Sequence, residues 1–297
     1  MESGGTASHP GGVVMTPIHC RRCGYNLYGL PADGPCPECG LEAWESILHT
    51  VDPAASRLPR VRNPGAVGDA LLWLMIFLAA ASILLVVRPL AQWFDAMDPS
   101  GVRSVARWTP AWLAIVAGLA SLAAVFWVRR LAPPVGTERS RGVWRDVRWL
   151  GVGLAAWAVL IIAAGLMQMA AAPGRAITAV WLAAAVAAVV PLLGLRGILK
   201  TIGLRSREYR TASGGRQGIR AMVAATIGAA CGHGLGLLAS PTGIGSLAAL
   251  GTVVTSISAL MVVIGLFYLV ANAWWIRKAL RCPPPRLEEV LGEITSQ

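Results

Sequence analysis

Six stretches of the chain run without a single Asp, Glu, Lys or Arg: residues 70–87, 111–128, 150–172, 176–195, 221–239 and 247–276. Each reaches the roughly 18 residues that cross about 30 Å of hydrocarbon at about 1.5 Å per residue. With no water in that layer, backbone amides must be satisfied inside the segment, so each run predicts a helix. The last, at 30 residues, is long enough to tilt or to extend past the bilayer. Pro191 predicts a kink in the fourth helix. Ser240-Pro241-Thr242-Gly243 separates the fifth and sixth runs as a tight turn, which makes those two helices antiparallel neighbours.

Before residue 68 the pattern is different. There are no long apolar runs, and residues 1–16 are rich in Gly, Ser and Pro, an expected disordered N-terminus without a signal-peptide pattern. Residues 50–67 carry Pro53, Pro59 and Pro64 with Arg57, Arg60 and Arg62, which reads as an extended linker. After the last run, Leu287, Val290, Leu291 and Ile294 fall at helical spacing, so residues 279–297 read as a tail with a short amphipathic helix on the membrane surface.

Composition agrees with a membrane setting. Hydrophobic residues make up 55% and charged residues 14%, against about a quarter charged in an ordinary soluble domain. The formal net charge of +11 would suggest a polyanion partner in a soluble protein. Here the distribution matters more than the sum. Of 26 Lys and Arg, 22 lie before the first run or after the second, fourth and sixth; four lie in the intervening segments. By the positive-inside rule, this alternation places both termini in the cytoplasm of an inner-membrane, multi-pass protein.

Candidate chemistry concentrates near the N-terminus. Cys20-Arg21-Arg22-Cys23-Gly24 and Cys36-Pro37-Glu38-Cys39-Gly40 form a C-x2-C-x12-C-x2-C pattern. Two residues between cysteines let a tight turn aim both sulfurs at one ion. Gly24 and Gly40 stand where a left-handed backbone turns amides back towards sulfur. Two such knuckles build a four-sulfur site suited to one Zn2+, with Cys20, Cys23, Cys36 and Cys39 as ligands. A reducing cytoplasm argues against disulfides. Four cysteines leave no coordination position for water or substrate, so the metal is expected to be structural.

The stretch from Cys20-Arg-Arg-Cys-Gly-Tyr-Asn-Leu-Tyr-Gly-Leu-Pro to Cys36-Pro-Glu-Cys-Gly40 resembles the N-terminal zinc ribbon of membrane proteins from planctomycete-type bacteria. Those proteins join the ribbon to a variable set of transmembrane helices. The resemblance implies zinc at the four cysteines and bears on residues 20–40 alone. The first knuckle also resembles rubredoxin, which implies iron and electron transfer. Rubredoxins have a much longer insertion between knuckles, which builds a core that twelve residues cannot.

Between Pro17 and His49, two Arg stand against Asp33, Glu38, Glu42 and Glu45, and the thiolates add further negative charge. This disfavours nucleic acid. A protein partner at the ribbon is the alternative, with Tyr25, Leu27, Tyr28 and Leu30 as its candidate surface.

Within the runs the strongly polar side chains are His233, Gln168 and Asn272, too few for an obvious proton relay. His233 is expected to bond to a neighbouring helix, and Cys282 receives no role. The steric pattern is stronger. Ala224, Gly228, Gly232, Gly236 and Ser240 recur every four residues, opposite Gly251, Thr255 and Ala259 in the next run. Such a stripe admits close helix packing, within the chain or, through Gly228, Gly232 and Gly236, between copies in a homo-oligomer. Residues 211–218 are glycine-rich but lack the strand and lysine of a phosphate-binding loop.

The expected architecture is an all-α polytopic membrane protein: a zinc ribbon of β/knuckle type over residues 17–49, and six transmembrane helices within 68–278. The first functional expectation is a membrane scaffold or adaptor whose ribbon contacts another protein. A small-molecule transporter or permease component is the second. A membrane-embedded enzyme is the third, and no catalytic residues suggest themselves for it.

Overall fold

The computed structural model describes residues 12–56, 58, 61, 63–97, 108–131, 139–212 and 218–291. Residues 1–11 of the expected disordered terminus, Arg57, Pro59, Arg60 and Arg62 of the linker, residues 213–217 of the glycine-rich loop and Ile294 lie outside these, as does the side chain of Ser240. The helices in chain order are α1 (Ala43–Val51), α2 (Pro53–Ser56), α3 (Pro64–Met97), α4 (Thr109–Val128), α5 (Arg139–Met169), α6 (Gly174–Ala187), α7 (Val189–Ile202), α8 (Arg207–Thr211), α9 (Ile219–Thr242), α10 (Gly245–Arg281) and α11 (Leu287–Leu291).

The chain divides into two compact units: one from residues 60–281, the other from residues 1–59 together with 282–297. In the larger unit all six apolar runs are helices long and apolar enough to cross a membrane. The fourth of these spans, Gly174–Arg205, is built from α6 and α7. The helix breaks at Ala188, immediately after Ala187, whose carbonyl would face the Pro191 ring and whose hydrogen bond Pro191 cannot donate. α5 packs beside this break through Gly153. A Cβ there would stand 2.6 Å from Pro191 Cδ and 2.8 Å from Pro191 N, too close for any side chain.

Each span packs against the next in sequence, and α10 returns to pack on α3, so the six spans close a ring. Towards the end that carries Asp69 and Arg277, every span contributes to one apolar core. Leu74 of α3, Val128 of α4, Leu150 of α5, Ile198 of α7, Met222 of α9 and Ile276 of α10 all join it. The opposite half is held by a smaller, alanine-rich cluster from α3, α4, α5 and α6. There Leu250, Val253, Ile257 and Leu260 of α10 point outward and are exposed, the arrangement expected where hydrocarbon is the solvent.

α9 and α10 meet along the small-residue stripe. A Cβ on Gly232 would stand 2.6 Å from Gly251 O and 2.8 Å from Thr255 N, and one on Gly251 would stand 2.7 Å from Gly232 O. One on Gly228 would stand 2.6 Å from Ser258 Oγ. The surface that a second copy would need at Gly228 and Gly232 is therefore covered by α10 of the same chain. Two helices this close gain dispersion contacts between backbones, which is the main attraction available within lipid.

The smaller unit differs from the expected ribbon in three ways. Isolated bridges replace strands among the described residues: Val13 with Pro31, His19 with Asn26, and Pro35 with Glu42. Residues 12–16, expected as part of a disordered tail, belong to the fold, with Val14 fully buried. The C-terminal helix α11, expected on the membrane surface, lies on the ribbon, with Val290 and Leu291 buried in its core. A five-residue helix has no stability of its own. Its apolar face is fixed by what it covers.

Candidate metal centre

Both knuckles fold alike. The Gly24 N–H donates to Cys20 O and the Gly40 N–H to Cys36 O, each at 2.9 Å. The Cys20 N–H donates to Tyr25 O and the Cys36 N–H to Leu41 O, each at 2.7 Å. Closing these turns requires a left-handed backbone at the residue after the second cysteine, and Gly24 and Gly40 have φ of +78° and +71°. With no Cβ they adopt it at little steric cost.

The turns bring Cys20, Cys23, Cys36 and Cys39 together, with all four sulfurs within 4.8 Å of one another. Cys20 Sγ is 3.5 Å from Cys39 Sγ, and Cys23 Sγ is 3.6 Å from Cys36 Sγ. A disulfide would need about 2.05 Å. Four sulfurs around one ion at about 2.3 Å would form tetrahedral edges of about 3.8 Å. The donor set therefore fits a thiophilic metal ion.

The electrostatics of Cys20, Cys23 and Cys39 point the same way. The N–H groups of Cys23 and Arg22 hold the Cys20 thiol down at about 6. At Cys23 the Tyr25 N–H also favours thiolate, yet desolvation and the sulfurs of Cys39, Cys36 and Cys20 push the thiol up to about 12. At Cys39 the Leu41 N–H is likewise outweighed by desolvation and the sulfurs of Cys20 and Cys36, and the thiol is raised. Negative charge at one sulfur disfavours it at the next. A cation between them removes that conflict.

The surrounding residues hold the knuckles in place. Arg21 donates from Nη2 to Glu45 Oε2 of α1 at 2.6 Å, and its N–H reaches Ser46 Oγ at 3.3 Å. Arg22 Nη1 donates to Cys39 O at 3.4 Å, joining one knuckle to the other. Both arginines thus bond within the module, a role that their spacing in the sequence did not suggest. Of the expected contact surface, Tyr25 and Tyr28 are exposed, whereas Leu27 is fully buried in the ribbon core and Leu30 packs against it. Cys20 and Cys36 share that core with Val14, Ile18, Ile47, Val290 and Leu291.

Of the polar residues in the spans, His233 and Asn272 lie far apart. The His233 ring stacks on Trp181 of α6, with centroids 6.2 Å apart and planes at 21°. Gln168 Oε1 is buried without a hydrogen bond, and Asn272 is buried in α10. At about 1.5 Å per residue, His233 is about 15 Å along α9 from the Gly243 turn and Asn272 about 44 Å along α10. They stand at different depths.

A polar cluster outside the sequence expectations joins Asp69 to Arg277 and Arg281. Arg277 donates to Asp69 Oδ1 at 2.5 Å and Arg281 to Asp69 Oδ2 at 2.7 Å. The four-residue spacing of the two arginines on one helix face was the available signal.

Comparison with protein-family models, curated proteins and solved structures finds no match to this chain.

Proposed function

We propose that the chain is a membrane scaffold or adaptor of a bacterial inner membrane, with both termini cytoplasmic and one structural zinc in the ribbon. The observation that carries this reading is the four-sulfur cluster on a module whose exposed residues include Tyr25 and Tyr28. Four thiolates complete the coordination of zinc, so the metal holds shape rather than activating water. Zinc is the natural occupant because thiolate donors in tetrahedral array match its preference and it has no redox chemistry to disturb. The orientation rests on the 22-to-4 distribution of Lys and Arg.

The ribbon offers a contact surface because its core is already filled. The exposed tyrosines are amphipathic and rigid, the side-chain type that anchors protein interfaces. A transporter would need polar groups gathered at one depth, and the separation of His233 from Asn272 counts against that alternative.

The test replaces Tyr28 with a photo-crosslinking residue in the full-length chain in native membranes. A defined protein adduct, lost when Cys36→Ser and Cys39→Ser are combined, supports the reading. Adducts to lipid alone, together with solute flux in proteoliposomes, would overturn it in favour of transport.

A further inference from the structure

The C-terminal helix is part of the metal module rather than an appendage to it. The Met15 N–H donates to Val290 O at 2.7 Å, and Thr16 Oγ1 donates to Glu289 O at 2.8 Å. A Cβ on Gly12 would touch Leu291 Cβ at 3.6 Å, so the tail lies flat on the segment that leads into the first knuckle. That segment is held from its other side by the loop after Leu27: the Val14 N–H donates to Leu30 O, and the Gly29 N–H donates to Val14 O. The tail, the leading segment and the inter-knuckle loop thus form three consecutive layers.

Each half of this arrangement has little of its own to stabilise it. α11 has five residues, far below the roughly 12 at which an isolated helix becomes even marginal. The ribbon core is a handful of side chains, of which two are the ligands Cys20 and Cys36 and two are Val290 and Leu291 of the tail. A core this small depends on a metal or on added apolar cover, and here it has a place for both. Because ligands and tail residues share one core, whatever stabilises one stabilises the other, and the coupling is reciprocal.

We propose that metal binding at the four cysteines and docking of Leu287–Leu291 are one coupled event. The metal then acts as a latch that keeps the far end of the chain on the ribbon. This rests on the metal reading above. When the metal leaves, Leu287, Val290 and Leu291 are uncovered and become a free apolar motif. Three successive prolines, Pro283, Pro284 and Pro285, tie that motif to the end of α10. They give it a stiff tether rather than a floppy one.

The experiment uses full-length protein in detergent micelles and has two arms. In the first, trypsin cleavage after the exposed Arg286 is followed by mass spectrometry with and without a zinc chelator. Chelation is expected to accelerate release of the 287–297 fragment at least tenfold. In the second, zinc transfer to a chromophoric chelator is timed for wild type, Val290→Ala, Leu291→Asp and Glu288→Ala. Val290→Ala, which removes two methyl groups and leaves the helix intact, is expected to release zinc about tenfold faster. Leu291→Asp should be faster still, and Glu288→Ala, altering an exposed side chain, should match wild type. If wild type carries no metal, the metal reading itself fails. If wild type carries metal but either arm shows no change, the latch is overturned while the metal centre stands.

Discussion

Asp69, one turn into α3, accepts a hydrogen bond from Arg277 Nε of α10 at 2.5 Å, joining residues 208 positions apart. The same arginine lies over the Trp274 ring, with 5.3 Å from its guanidinium carbon to the ring centroid. Beside it, a Cβ on Gly68 would stand 3.0 Å from Arg277 Cα. The first and sixth spans are thus drawn together where the ring of helices closes. Carboxylate and guanidinium are both about three-quarters shielded from solvent, which makes this pair stronger than a surface ion pair.

Replacing Asp69 with Asn should therefore lower the stability of the detergent-solubilised protein by about 1–3 kcal/mol. The check is thermal unfolding monitored by loss of monodisperse protein. Arg277→Ala should cost more than Arg281→Ala, because Arg281 is more exposed and Arg277 also lies over the Trp274 ring. Equal melting of Asp69→Asn and wild type would remove the pair from the account of ring closure.

Gly232 and Gly234 provide an internal control for the α9–α10 contact. A Cβ on Gly232 would collide with the α10 backbone, whereas one on Gly234 would meet nothing within 4 Å. Both replacements by Leu raise helix propensity by similar amounts. Gly232→Leu should still lose folded yield, with an overpacking penalty of about 1–3 kcal/mol or more, while Gly234→Leu should behave as wild type. The same outcome for both would mean that the stripe does not pack as described.

Metal retention should depend on pH with a definite sign. The Cys23 thiol, pushed up to about 12, remains protonated across pH 6 to 8 without metal. Binding metal must expel that proton, so affinity should rise at least about tenfold per pH unit over this range. Competition with a chelator of known pH dependence measures the slope. A flat profile would contradict proton displacement at Cys23.

Orientation can be read directly. On the proposed orientation, reporter fusions at Gly4 and at Gln297 should both report the cytoplasm. A periplasmic signal from either would break the even number of crossings.

Much of this architecture was legible in the sequence because the physics behind it is local. Eighteen or more residues without charge make a span wherever they occur. Pro191 lacks the N–H that would continue the ladder at Ala187, and glycines four apart expose a backbone stripe along α9. The cysteine spacing likewise dictates both knuckle turns. The rest depended on contacts between residues far apart in the chain. The spacing of Leu287, Val290 and Leu291 showed that one face of a helix was apolar but could not show whether lipid or protein covers it. Leu27 and Tyr28 are neighbours in sequence, yet one fills the ribbon core and the other faces solvent. Spacing alone did not pair Arg21 with Glu45 or Arg22 with Cys39 O, which the fold brings beside them.

The most direct test is elemental analysis of the purified full-length protein by mass spectrometry. Close to one zinc per chain is expected, and none in the Cys36→Ser, Cys39→Ser double variant. Stoichiometric iron, or zinc retained by the double variant, would contradict a zinc held by the four cysteines.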